Sequence, residues 1–385
     1  MHNSLYSIRF PQQVFAGAGS IAKLTALFDE KDRVLVLSST PLVQLDLLHD
    51  VFALLKAHKI AYTLIADVAV EPLARQAQAI VELSRQQQCT GVLAVGGGSV
   101  LDCAKLVALL ADAAASVFDL MENPLAVTAR TKKLVLVPTT AGTGAEATPN
   151  AIVTDETRQV KVGVVNPAMI PDAVILDPDF TMTLPPAITA STGMDALSHA
   201  LECYISKKAN PLSDTYAIEA LRLLFHYLPA AYAAPSNAQA RHALLYAAFL
   251  GGLCIASSGT TAVHALSYPL GGRYHVPHGV SNAMLLPYVM EYNRPAIEDK
   301  LYTVAVRCME LPASLSHADA AVAVIQRLYA LAQDMRIPCD LNAYGVAAAD
   351  LDALAAEAFG VKRLLDNNPR AMSVEEIKAV YQKLL

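Results

Sequence analysis

Asp195 and His199 stand four residues apart, so on a helix both side chains leave the same face. Two further imidazoles follow at His264 and His278, the second within His275-Val-Pro-His-Gly279. One carboxylate with three imidazoles is a donor set that suits a divalent first-row metal. The same residues would also serve as a buried Asp–His pair and a Pro-His-Gly turn, and spacing alone leaves both readings open. Glycine offers a second kind of chemistry. Gly96, Gly97 and Gly98 precede Ser99, between the run GVLAV and a helical pattern that opens near Val100. Glycines there let a phosphate approach the backbone, and a helix N-terminus presents free N–H groups to it. Ser99 and Asp102 also have N-cap and N3 spacing, so a glycine turn opening a self-capped helix fits too. A third segment, Pro138-Thr-Thr-Ala-Gly-Thr-Gly144, follows the run LVLV, and its Thr139, Thr140 and Thr143 could hydrogen-bond a ribose or phosphate. None of this is the G-x-G-x-x-G fingerprint of an ordinary Rossmann domain.

These loops need a sheet to hold them. Arg33–Leu37, Ile60–Leu64, Gly91–Val95, Leu134–Val137 and Ala173–Leu176 read as short β-branched strands, with helical patterns between them such as Arg75–Gln88. Strands separated in this way imply a mostly parallel sheet covered on both faces, and ligands bind outside the carboxyl ends of such strands. From about Leu184 the pattern changes to Ala- and Leu-rich helical stretches, among them Met194–Ile205, Ser213–Leu228 and Ala238–Leu253. Ser373-Val-Glu-Glu376 reads as a capping box opening a last helix through Leu385. The expectation is an α/β domain over 1–183 and an all-helical domain over 184–385, packed around a cleft.

Composition narrows the function. The chain has 385 residues, 54% of them hydrophobic and 17% charged, which excludes a disordered protein. Its net charge of -6, without a run of Lys and Arg, argues against nucleic-acid binding. The most apolar stretch, Val92–Phe118, is broken by three glycines, Asp102, Lys105 and Asp112, so no membrane span is expected. The opening residues lack the charged-then-apolar pattern of a secretory signal, and the six cysteines are scattered without Cys-x-x-Cys. Both suit reduced thiols in a cytoplasmic protein. His2, His49, His58, His226, His242 and His317 have no comparable context and read as surface or core residues.

Taken together, the segments resemble the iron-containing (group III) alcohol dehydrogenase family. The resemblance rests on FAGAG at 15–19, GGGSVLDCAK at 96–105, PTTAGTGAEAT at 138–148 and TGMDALSHALE at 192–202. It continues through HALSYPLGGRYHVPHGVSNAMLLPYVMEYN at 264–293 and Asn368-Pro-Arg370. It implies a Rossmann-like dinucleotide-binding α/β domain followed by an all-α metal domain, the dehydroquinate synthase-like architecture. Asp195, His199, His264 and His278 map to the metal ligands, and Gly97, Gly98, Ser99, Thr139, Thr140 and Thr143 to cofactor contacts. Asn150 and Lys161 fall where the family lines the nucleotide, and Asp102 lies in the same motif. Fe(II) is the metal the family name favours, with Zn(II) the alternative, and the cofactor is NAD or NADP. With neutral imidazoles and one carboxylate, such a site carries a net single positive charge.

Two departures stand out. The family often has a histidine four residues after the His264 position, near the substrate, where this chain has Tyr268. Tyrosine is a poorer proton acceptor near neutral pH, which leaves His275 as a second candidate for the proton relay. Many NAD-preferring relatives also carry an aspartate after the first long strand, where this chain reads Ser38-Ser-Thr-Pro41. The resulting expectation is an NAD(P)-dependent alcohol dehydrogenase or aldehyde reductase, homodimeric or larger, acting on a small alcohol or aldehyde. Leu253, Cys254 and Ile255, expected at the pocket with one further residue late in the chain, hint at an aliphatic substrate. The competing readings are a reductase of a functionalised carbonyl such as maleylacetate, a dehydroquinate synthase-like lyase, and a non-catalytic nucleotide or metal binder.

Overall fold

The computed structural model describes Leu5–Arg158 and Val160–Leu385, and His2 lies outside the described residues. The chain forms two compact units. One holds Arg9–Thr140 and Gly144–Met182; the other holds Thr183–Leu385 with the short segments 5–8 and Ala141–Thr143.

The first unit is built on a sheet. Strands β1 (Gln13–Ala16), β2 (Arg33–Leu37), β3 (Ala61–Ile65), β4 (Gly91–Gly96) and β5 (Lys133–Pro138) precede a hairpin of β6 (Asn150–Asp155) and β7 (Val160–Val165), and β8 (Ala173–Leu176) follows it. The main sheet runs in the order β1-β8-β5-β4-β2-β3 with every pairing parallel. Successive side chains of a strand alternate between faces, and here both faces are apolar. Leu35, Leu37, Val92, Ala94, Leu134 and Leu136 join one core with helices α2 (Ala74–Gln86) and α3 (Gly98–Leu110). Val34, Val36, Leu93, Val95, Val135 and Val137 join the other with α1 (His49–Ala57). The five strands read in the sequence are all present. Edge strand β1 and the β6–β7 hairpin are additional.

Helix α3 is buried from Val100 to Leu110, its charged residues included. Lys105 Nζ donates to Asp102 Oδ1 at 3.0 Å, to Thr148 Oγ1 at 3.1 Å and to the Asn150 carbonyl at 2.6 Å. Asp102 Oδ2 accepts the Ile152 N–H at 3.0 Å, so the pair straps the hairpin onto the sheet. The Ser99–Asp102 capping arrangement is not what forms. Gly97 occupies the N-cap in extended conformation, the helix already opens at Gly98, and the Ser99 hydroxyl donates to the Val70 carbonyl. Gly96 is required here, because a Cβ would lie 2.6 Å from the Val100 side chain.

The second unit is helical: α4 (Pro186–Ile205), α5 (Pro211–Ala233), α6 (Ala238–Ser258), α7 (Ala262–Tyr274), α8 (His278–Cys308), α9 (His317–Asp334), α10 (Leu351–Gly360) and α11 (Val374–Gln382). Proline in the first turn lets α4 begin eight residues before the expected Met194. Helix α6 is long and apolar enough to cross a membrane, but 72% of its most apolar window is buried within the protein, as in a core helix. The Ser373–Glu376 capping box forms, and α11 ends at Gln382 rather than Leu385. Asn293 and Asn368 exchange amide hydrogen bonds at 2.8 and 2.9 Å, and Arg370 stacks over Tyr292, tying the Asn-Pro-Arg segment to α8. All six cysteines are free thiols, five of them buried.

Glu146, in the turn Ala145–Ala147, is buried with Oε1 lacking a hydrogen-bond partner. Burial pushes its carboxyl from 4.5 up to about 7, with Lys105 opposing. Below pH 4.5 folded and unfolded chains are both protonated there; above it only the unfolded chain releases the proton, so stability falls as pH rises through about 7. Glu146→Gln removes this loss. Relative to the parent, the variant is expected to be near neutral at pH 4.5 and more stable by up to about 3 kcal/mol at pH 8, as read from denaturant melts at both pH values.

Candidate metal centre

Helix α4 carries Asp195, His199 and Glu202 in one stripe, at i, i+4 and i+7. Helix α7 brings His264 on its first turn, and α8 opens with His278 directly after Pro277. One ligand atom from each of Asp195, His199, His264 and His278 lies within 4.8 Å of all the others. The first three are buried, while the His278 side chain is 40% exposed and is the open side of the group. From Asp195 Oδ1 the imidazole Nε2 atoms stand at 3.7, 3.9 and 3.6 Å for His199, His264 and His278.

Close backbone approach makes this convergence possible. A Cβ at Gly279 would lie 2.3 Å from the Ser191 carbonyl, so the start of α8 presses onto α4. A Cβ at Gly142 would lie 2.8 Å from Thr192 Cβ, and the Gly142 carbonyl reaches His199 Nδ1 at 3.3 Å. The Pro-His-Gly motif is thus a helix start under steric constraint, and part of the threonine-rich loop belongs to the metal centre.

Hydrogen bonds fix the tautomers. A carbonyl only accepts, so His199 Nδ1 is the protonated nitrogen and Nε2 is left bare. Glu202 is fully buried and hydrogen-bonds His264 Nδ1 directly. Its Oε1 also accepts the N–H groups of Thr261 and Val263, both at 2.9 Å, and the Thr261 hydroxyl at 2.7 Å. Burial works against its charge, but His264 and these donors outweigh it and hold the carboxyl below its usual range. His264 therefore also directs Nε2 inward, and the two Nε2 atoms face each other at 2.8 Å. Burial opposes a charge on either ring. Glu202 and Asp195 reverse that for His264, whose pKa is raised, whereas His199 stays lowered. Burial also opposes the Asp195 charge, yet the surrounding imidazoles hold its pKa down. Facing nitrogens of this kind need a cation between them, either a proton or a metal ion. Three inward imidazoles and an ionised carboxylate fit a divalent metal.

The comparisons with known proteins agree. The model for the Fe-containing alcohol dehydrogenase family, C-terminal, matches residues 189–385, and that for iron-containing alcohol dehydrogenase matches 11–178. The chain belongs to the iron-containing alcohol dehydrogenase family. It is 35% identical to long-chain-alcohol dehydrogenase 1 of Geobacillus thermodenitrificans (strain NG80-2) over 98% of this chain and 96% of that one. The crystal structure of a 1,3-propanediol oxidoreductase matches with a TM-score of 0.94 and 31% identity over 99% of this chain and 100% of that one. Sulfoacetaldehyde reductase from Bifidobacterium kashiwanohense, solved with NAD+, matches with a TM-score of 0.88 and 27% identity over 99% of each chain. As a family member this chain is an oxidoreductase acting on CH–OH groups, and the family uses NAD(P) and iron.

In this dehydrogenase the four residues singled out by spacing come together, and two that were overlooked join them. Glu202 is one. It adds a second carboxylate against His264, so the charge balance with a divalent ion is zero rather than the single positive charge expected from Asp195 alone. Its position three residues after His199 on the same face was the available signal. Asn282, one turn after His278, is the other. Its Nδ2 donates to Asp195 Oδ1 at 2.7 Å, while its Oδ1 is buried without a partner. Tyr268 lies with its ring centroid 6.5 Å from that of His278. Burial, opposed by Arg363, raises its hydroxyl pKa further, which makes it a hydrogen-bond donor rather than a base. His275 is exposed and ends α7 in left-handed conformation at φ 53°. Cys254, expected at the pocket, turns its thiol to the Ser213 carbonyl on α5, at 3.4 Å.

In the sheet unit, β4 and β5 pair up to Gly96 and Pro138, so their carboxyl ends are neighbours. Thr140 lies 3.6 Å from where a Gly97 Cβ would stand, and Thr139 is buried with its N–H on the Gly96 carbonyl. Gly98 and Ser99 open α3 beside them. Asn150 begins β6, and Lys161 on β7 pairs with Glu71 at 2.5 Å. Asp102 is committed to Lys105 and the hairpin.

Partners that orient a ligating histidine are worth roughly 10- to 100-fold in metal affinity. Glu202→Gln keeps the shape but loses the charge, and Zn(II) competition with a chromophoric chelator should show a loss of that size. Unchanged affinity would remove Glu202 from the centre.

Proposed function

We propose that Asp195, His199, His264 and His278 are the ligands of one divalent ion, Fe(II) in preference to Zn(II), in an NAD(P)-dependent alcohol dehydrogenase that also reduces aldehydes. The facing Nε2 atoms of His199 and His264, 2.8 Å apart and both directed inward by fixed Nδ1 bonds, carry this reading. A bound ion supplies Lewis-acid polarisation of the alcohol or aldehyde oxygen, and the nicotinamide takes or gives the hydride. Glu202 and the Gly142 carbonyl hold two imidazoles in their ligating tautomers, and Asn282 orients Asp195. Tyr268 donates a hydrogen bond toward the reacting oxygen. His275, exposed and three residues from His278, passes the alcohol proton to solvent.

The nucleotide is assigned to the neighbouring ends of β4 and β5. Gly97, Gly98 and Ser99 receive the diphosphate at the start of α3, and Thr139, Thr140 and Thr143 bond its phosphate and ribose oxygens. Asn150 and Lys161 line the same site, with Asp102 holding the hairpin that carries them. No acid stands in Ser38–Pro41; the Ser38 hydroxyl donates to the Val95 carbonyl at 2.8 Å. This supports use of both NAD and NADP. The division into 1–183 for nucleotide and 184–385 for metal and substrate follows from these assignments. Exposed Phe10 and Val14, on and before edge strand β1, support a homodimer, and the free thiols support a reducing cytoplasm.

Oxidation of NADH and NADPH by aldehydes tests this, using protein stripped of metal and reloaded anaerobically with Fe(II) or Zn(II). Turnover with both nucleotides is expected only after reloading, and Asp195→Ala should lower it by at least about 100-fold, as loss of a group that orders the metal. Metal-independent turnover, or none while nucleotide still binds, would overturn the assignment.

A further inference from the structure

The loop between β3 and α2, residues 66–73, touches three of the segments assigned to the nucleotide. At the end of β2, the Val68 N–H donates to the Ser38 carbonyl at 3.3 Å and the Thr40 hydroxyl to the Ala66 carbonyl at 3.0 Å. At the start of α3, the Ser99 hydroxyl donates to the Val70 carbonyl. At the hairpin, the Thr154 N–H donates to the Pro72 carbonyl at 2.8 Å, and Glu71 Oε1 pairs with Lys161 Nζ at 2.5 Å. Gln76 on α2 braces the loop, donating to the Asp67 carbonyl at 2.8 Å and accepting the Ala69 N–H at 3.0 Å.

Glu71 is thereby fixed one residue from the group that Ser99 holds, and against the hairpin. Its side chain is 44% exposed and stays open to a ligand. Among the described residues its Oε2 has no hydrogen-bond partner, and the Lys161 ammonium spends one of three N–H donors on Oε1. The carboxylate disfavours a phosphate at this point. A vicinal diol fits it, because a carboxylate oxygen accepts from a hydroxyl and an ammonium donates to one. A dinucleotide carries such a diol on either side of its diphosphate. With the diphosphate at 97–99, the adenosine ribose belongs at the end of β2, where folds of this kind place an acid for its 2′-hydroxyl and this chain has none. The other ribose then lies toward the hairpin, beside Glu71.

We propose that Glu71, together with Lys161, binds the 2′- and 3′-hydroxyls of the ribose that carries the nicotinamide. This rests on the nucleotide assignment made above and adds to it a carboxylate from the β3–α2 loop. Glu71 holds the sugar and not the reacting ring, so its effect belongs in coenzyme binding. Because the adenosine ribose lies elsewhere, NAD and NADP depend on Glu71 alike.

The test uses ADP-ribose, which keeps the second ribose, and ADP, which lacks it, as calorimetric probes of the metal-loaded enzyme. Glu71→Ala should weaken ADP-ribose by roughly 10- to 100-fold, the size of a lost charge-assisted hydrogen bond, while ADP binds as well as before or more tightly. Glu71→Gln, which keeps an acceptor without the charge, should recover part of the loss. NADH and NADPH, titrated by their fluorescence, should weaken in Glu71→Ala by the same factor. If Glu71 only ties the loop to the hairpin, ADP and ADP-ribose weaken together, and that result overturns the proposal; so does no change in either. A loss confined to NADH would instead place Glu71 at the adenosine ribose and overturn it too. Gly97→Leu checks the underlying assignment: ADP binding should be lost, and if it is kept the nucleotide site falls and the proposal with it.

Discussion

Within the buried heart of the helical unit, His199 and His264 turn bare ring nitrogens toward each other across 2.8 Å. Neither ring is free to turn away, because each Nδ1 is already spent, one on the Gly142 carbonyl and one on Glu202. Buried imidazoles with opposed lone pairs are unfavourable unless a positive charge sits between them. The surroundings supply two negative charges for it, Asp195 and Glu202, both held ionised despite their burial. Leaving such charges uncompensated would cost several kcal/mol each. Cation binding and local stability are therefore one quantity in this unit.

The chain meets that constraint with small residues at the crossings. Gly279 admits the Ser191 carbonyl, Gly142 admits Thr192, and Gly193 lies where any Cβ would strike Leu228 at 2.2 Å. The first two set the start of α8 and the Ala141–Thr143 segment directly against α4, beside the ligands that α4 carries. Glu202 then satisfies the opening of α7 in the same step that orients His264, so the helix start and the ligand geometry are set by one carboxylate. A substitution at Gly279 or Gly142 would act on the metal centre without replacing a ligand.

Much of this could be read from residues. The buried strands announce themselves because a parallel strand covered on both faces is an unbroken apolar run, as in Arg33–Leu37. Asp195 and His199 were legible through helical spacing. Other features left no such mark. Strand β1 is short and mostly exposed, and its sequence QVFA lacks a pattern. The hairpin β6–β7 leans on Asp102 and Lys105, whose pairing with a distant backbone cannot be seen in a list of residue types. Gly142 contributes a carbonyl, which every residue has. Glu202 and Asn282 looked like ordinary polar positions on helices, because their importance comes from three-dimensional convergence. Ser99 and Asp102 had the right spacing for a cap, but extended backbone at Gly97 opened the helix earlier and released both for other bonds.

Titration of metal-stripped protein with Co(II), followed by visible absorption, addresses the facing imidazoles most directly. One equivalent should bind per chain, giving the d–d bands of a nitrogen- and oxygen-ligated site. His199→Ala, which deletes one of the two nitrogens, should abolish that stoichiometric phase while leaving the fold intact by circular dichroism. Identical titration curves for the parent and His199→Ala would contradict the arrangement described for this centre.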